Sequence, residues 1–75
     1  MQKWNVLLSG FDGRKFYQNV HVIERTAESA GVYLKECYPD RKVRSTIQVM
    51  EVEPLEDAEL FLPGIVYVSG KAYFE

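Results

Sequence analysis

Two stretches of alternating apolar and polar residues, "KWNVLLS" (residues 3–9) and "KFYQNVHVIE" (residues 15–24), flank the short connection "GFDGR". A period of two is the period of a strand, because successive side chains point to opposite faces. Trp4, Val6 and Leu8 share one face of the first stretch, and Lys3, Asn5, Leu7 and Ser9 share the other. In the second stretch Phe16, Val20 and Val22 face one way, and Tyr17, Asn19, His21 and Ile23 the other. Glycine adopts positive φ at little cost and Asp favours turns, so Gly10–Arg14 predicts a hairpin loop of about four residues.

The period then changes. Ala27, Ala30, Gly31 and Leu34 recur at helical spacing, and Cys37 or Tyr38 extends the stripe. Thr26 is a good N-cap, Glu28 suits the positive end of the helix dipole, and Pro39 stops the helix at about Tyr38. Gly31 costs about 1 kcal/mol against Ala inside a helix. It lies on the apolar stripe beside two alanines, so its reading is close packing of the helix on the sheet.

After a turn at Tyr38–Lys42, residues 43–53 ("VRSTIQVMEVE") read as a third strand. Val43, Ile47 and Val49 are expected inward, and Arg44, Thr46, Gln48, Met50 and Val52 outward. Pro54 is expected to end it. "PLEDAEL" (residues 54–60) suits either a short helix or an acidic loop. "IVYVS" (residues 65–69) is a strand, and "AYFE" (residues 72–75) either continues it past a bulge at Gly70 or returns as a hairpin. The fold class is α+β: β-β-α-β followed by one or two C-terminal strands, an antiparallel or mixed sheet with one helix on one face.

With 75 residues, one domain with a thin core is expected. A net charge of −2 argues against bulk nucleic-acid binding, which usually needs a strongly basic surface. A single cysteine, Cys37, forms no internal disulfide and suggests a reducing compartment. "MQKWNVLLSG" lacks the apolar stretch of a signal peptide, and no run approaches the roughly 20 apolar residues of a membrane span. The expectation is a soluble, cytoplasmic protein with no membrane contact.

No catalytic constellation is legible. His21 falls on the second strand and reads as a polar residue of the open sheet face. Cys37 falls near the helix end and reads as a small core residue. No spacing matches a zinc site, and the glycines form neither a phosphate loop nor a dinucleotide fingerprint. No cofactor or metal is expected, and the chain reads as non-catalytic.

Three surface groups are candidates for binding. Leu7, Tyr17, Ile23, Met50 and Val52 are expected on the sheet face opposite the helix, where clustered apolar surface marks a contact, first of all a two-fold homodimer. Lys35, Arg41, Lys42 and Arg44 form a basic corner suited to phosphate, although helix-dipole compensation and a wet turn account for the same charges. Glu51, Glu53, Glu56, Asp57 and Glu59 form an acidic run suited to a basic partner or a hard cation, although solvation accounts for it equally. An RNA-binding sheet would need several outward aromatics on adjacent strands, and in the sequence only Tyr17 clearly qualifies. The leading expectation is therefore a small protein-binding or regulatory module, acting through a homodimer or a partner protein. The alternative is a nucleic-acid-binding module using Arg41–Arg44.

Overall fold

A computed structural model describes residues 1–57, 63–68 and 72–74. The hairpin organises everything else. Strands β1 (Gln2–Phe11) and β2 (Lys15–Glu24) pair antiparallel in unbroken register from Gln2 opposite Glu24 to Phe11 opposite Lys15. The loop between them is tight: the Asp12 amide donates to the Arg14 carbonyl, and Gly13 takes φ +77°, a left-handed conformation that glycine adopts without penalty.

Helix α1 (Ala27–Cys37) follows at once. Thr26 and Ser29 form a reciprocal cap, each side chain accepting from the other's backbone amide at 3.1 Å. Helix α1 lies on the face that carries Val6, Leu8, Phe16, Val20 and Val22, and buries Ala30, Gly31 and Leu34 against it. Leu34 is fully buried, which contributes about 1.5–3 kcal/mol.

Residues 43–44 are not strand. They belong to a one-turn helix, α2 (Arg41–Arg44), because the Asp40 carboxylate accepts from the Lys42 and Val43 amides and caps that turn. Val43 and Ile47 still reach the core, as their apolar character requires. Strand β3 starts later and runs further, from Gln48 to Asp57, passing through Pro54 instead of ending there. Proline is tolerated because β3 is an edge strand: the order is β3-β1-β2-β4. Residues 54–57 are thus extended, neither helix nor loop, and residues 58–60 of that segment lie outside the described residues.

Strand β4 (Gly64–Val68) extends the sheet beyond β2, with Ile65 opposite Val22. Strand β5 (Tyr73–Phe74) also pairs antiparallel with β2, Tyr73 opposite Tyr17 and Phe74 opposite Phe16. Both run in the same direction along β2, so β5 resumes the line of β4 and is not its hairpin partner. Gly70, the expected bulge, lies outside the described residues. The architecture is an antiparallel sheet with one main helix on one face, a small α+β domain. Among the described residues, no helix is long and apolar enough to cross a membrane.

Candidate functional site

The proposed apolar patch on the open sheet face is not continuous. β1 and β3 pair Leu7 with Glu51 but Leu8 with Val49, so Met50 is an extra residue without an opposite number. A bulge of this kind turns the following side chains to the other face, here as far as Pro54, where the register shifts again. Val52 therefore stands opposite Val6, packs against the helix-side core and leaves the open face. The same shift brings Glu51 and Glu53 onto the open face, opposite Leu7 and Asn5. Ile23 does lie on the open side, between Lys3 and Gly64, but it is buried to 1% exposure. Leu7 and Tyr17 are half-buried, and Met50 is exposed. Between them the face is polar, with Asn5 donating to Asn19 at 2.9 Å.

Val52 instead lines a groove of about 400 Å³ on the helix side, together with Ala27, Gly31, Val32, Lys35 and Val49. The groove lies where α1 meets β3. Gly31 lies in its floor, where a Cβ would stand 3.5 Å from Val49, in ordinary contact. Val32, half exposed on the outer face of α1, forms its apolar lip. Sequence reading assigned Gly31 to close packing, and missed the groove because Val52 was placed on the wrong face.

The charged candidates separate in the same way. Lys35 borders this groove from the last turn of α1. Arg41 and Lys42 are exposed on α2, whereas the Arg44 guanidinium is partly spent on the Tyr38 carbonyl at 2.8 Å. Of the acidic run, Glu56 pairs with Lys3 at 3.0 Å and Asp57 stands opposite Gln2. Glu59 lies outside the described residues.

At the hairpin end, aromatic and basic side chains gather. Phe11 and Tyr73 are 55% and 68% exposed, and Phe74 45%. Arg14 lies 4.6 Å over the Phe74 ring and Lys15 5.4 Å over Tyr17. Beneath them Phe16 meets Phe74 at 5.9 Å between ring centres. Gly10 makes room for this cluster, since a Cβ there would come within 2.7 Å of the Phe16 ring. Tyr38 closes the base of the cluster, its hydroxyl donating to the buried Gln18 Oε1 at 2.7 Å. Burial, followed by the neighbouring Asp40 and Asp12 charges, raises the Tyr38 pKa above its ordinary value of 10.0.

The two residues considered for catalysis do not combine. His21 stands on the open face of β2 opposite Asn5, while Cys37 ends α1. Cys37 is exposed, not a core residue, because Tyr38 takes the inward position at the helix end. Among the described residues, no three His, Cys, Asp or Glu side chains group as metal ligands would. No family model matches this chain, and neither a curated protein nor a solved structure matches it.

Proposed function

We propose that this protein is a non-catalytic protein-binding module that takes up an extended segment of a partner along the outer edge of β3. One observation carries the reading: β3 is an edge strand with an apolar groove on one face and two glutamates on the other. An added strand alternates its side chains between the same two faces. Apolar residues of the partner would enter the groove beside Gly31, Val49 and Val52, and basic residues between them would face Glu51 and Glu53.

The same chemistry disfavours a second copy in that position. Antiparallel pairing of β3 with itself sets its acidic residues against their own kind, and like charges on directly opposed strands are destabilising. Pro54 and the bulge at Met50 further shorten the run open to pairing, as protected edges commonly do. The edge is thus guarded against its own sequence and open to a basic one.

The test selects binders from a random twelve-residue peptide library and maps them by amide chemical shifts. Enriched peptides should alternate apolar with basic residues, perturb Gln48–Glu53 and α1, and lose binding to Val32→Glu at unchanged melting temperature. Binders that leave β3 unperturbed sink the reading. Sedimentation equilibrium at micromolar concentration adds a second check: a dimer dissociated by Val32→Glu would make a second copy the occupant.

A further inference from the structure

The open face at the hairpin end meets the requirement that the sequence alone did not: outward aromatics on adjacent strands. Phe11 of β1 shares the parity of Ser9, and Ser9 stands opposite Tyr17 of β2. Tyr17 in turn stands opposite Tyr73 of β5. Directly opposed residues share a face, so three rings from three neighbouring strands lie on one side of the sheet. Side chains directly opposed on antiparallel strands are about 5 Å apart and diagonal ones about 7–8 Å, so Phe11, Tyr17 and Tyr73 form one continuous surface.

A cation borders these rings. Lys15 stands opposite Phe11 and over Tyr17, whereas Arg14, the next residue toward the loop, lies over Phe74 on the helix side. Beside Phe11 and Lys15 lies a concavity of about 240 Å³, lined also by Ser9, Gly10, Thr46 and Gln48. It offers the exposed Gln48 carboxamide beside a ring, a group that reads the edge of a flat heterocycle, whereas the Thr46 hydroxyl is engaged by the Phe11 amide and the Val43 carbonyl. Among the described residues paired along this face, the first carboxylate met on β3 is Glu51, opposite Leu7. The acids nearest this end, Asp12 and Asp40, line a recess with Phe16, Tyr38 and Phe74 on the helix side of the sheet.

We infer that this surface binds single-stranded nucleic acid, stacking two or three unpaired bases on Phe11, Tyr17 and Tyr73 while Lys15 takes a phosphate. Rings alone would also suit a proline-rich peptide; Lys15 beside them and the recess with Gln48 favour a base with its phosphate. The bases must be unpaired, because a ring offers its face only to a base whose own face is free. Glu51 and Glu53 limit the footprint to the hairpin end. The site differs from the basic corner at Arg41–Arg44, because it works by stacking and uses the open face instead of α2.

Fluorescein-labelled twelve-nucleotide oligo-dT and oligo-rU are the probes, titrated at 20 and 200 mM salt with a duplex as comparison. Single strands should bind at low salt, more tightly than the duplex and more weakly as salt rises. Because one stacked base is worth about 1–3 kcal/mol by alanine substitution, Tyr73→Ala and Phe11→Ala should each weaken binding about tenfold. Both rings are more than half exposed, so neither change should disturb the fold. Lys15→Gln should lower the salt slope by about 0.7, the value of one phosphate contact on a single strand. Val32→Glu should leave binding unchanged. The inference is overturned by absence of binding at 20 mM salt or by preference for the duplex. Binding that survives both aromatic replacements but is lost in Arg41→Gln with Lys42→Gln also overturns it, as does tighter binding of a polyproline peptide to the same rings.

Discussion

The α1–β3 flank and the hairpin end are two surfaces of one sheet with opposite chemistry. The flank joins an apolar groove to Glu51 and Glu53. The hairpin end joins exposed rings to Arg14 and Lys15. The flank has Gly31 in its groove floor and owes its form to one extra residue, Met50, that reverses the parity of β3. The hairpin end owes its form to a close approach at Gly10 and to a distant segment, β5, that brings Tyr73 and Phe74 to β2. On the open face Glu51 and Glu53 lie on the edge strand and Lys15 beside the turn, and a partner suited to one is poorly suited to the other.

The strongest way to break this division is at the core that both surfaces share. Leu34→Ala should cost about 2–5 kcal/mol, the usual range for a leucine deleted from a tight core. Leu34 is fully buried under α1, so the loss should loosen the groove wall first. At a temperature where the variant is still folded, peptide binding at the flank should fall while oligonucleotide binding at the hairpin end holds. A thermal melt equal to wild type would remove Leu34 from the core.

Gly10→Ala tests the other region. The added methyl would meet Phe16 atoms at 2.7 and 2.8 Å and Ile47 at 3.1 Å. Phe16 is itself buried and leans on Phe74, so it has little room to yield. Overpacking of this kind costs about 1–3 kcal/mol. The displacement should reach β5 and weaken oligonucleotide binding, with the flank's amide shifts unchanged. Wild-type stability would show that the ring moves freely and that the hairpin end is less fixed than the flank.

Much of this was legible in the sequence, and what was not follows a physical pattern. The hairpin, its turn, the Thr26 cap and the stripe through Ala30, Gly31 and Leu34 depend on periodicity and on neighbours a few residues apart. These are local, and the structure keeps them. Most errors arise where a non-local contact decides; the Asp40 cap is the local exception. Asp40 reads as a turn residue, but as a cap it converts Arg41–Arg44 into a helical turn. Val52 obeys strict alternation until an inserted residue opposite β1 reverses it, and no single strand announces its own bulge. Pro54 ends a strand inside a sheet but not at an edge, and edge position is a property of the whole topology. Tyr73 joins Tyr17 only because β5 returns to β2, so the aromatic surface had no signature in any one window. The exposed Phe11, out of character at a strand end beside a loop, was the available hint.

A smaller effect separates the base of the hairpin end from its surface. Tyr38→Phe removes the hydrogen bond to Gln18 and should cost about 1 kcal/mol. The fold favours the protonated phenol, so its contribution is full below pH 10.0 and is lost as pH rises past that value through the raised folded pKa. Wild type should therefore lose stability on the alkaline side more steeply than Tyr38→Phe. Tyr33, raised in the same direction mainly by burial, contributes equally to both proteins and cancels in the difference. Parallel stability curves from pH 8 to 11 would mean that Tyr38 titrates alike in the folded and unfolded chain.

The smallest expected effect has an unusual sign. Gly31→Ala should stabilise the protein by up to about 1 kcal/mol, because alanine relieves the helix-interior cost of glycine. The geometry permits it, since the new methyl would sit 3.5 Å from Val49, at contact and without overlap. The same methyl would occupy the floor of the groove beside Val49 and Val52. If β3 takes up a partner strand, stability and binding should move in opposite directions at this one position: a higher melting temperature with weaker peptide binding. Oligonucleotide binding at the hairpin end should not change, which would set the two regions apart without unfolding either. A rise in stability with peptide affinity intact would mean that no partner side chain reaches the groove floor, and contact at the flank would then rest on the β3 edge and its glutamates alone.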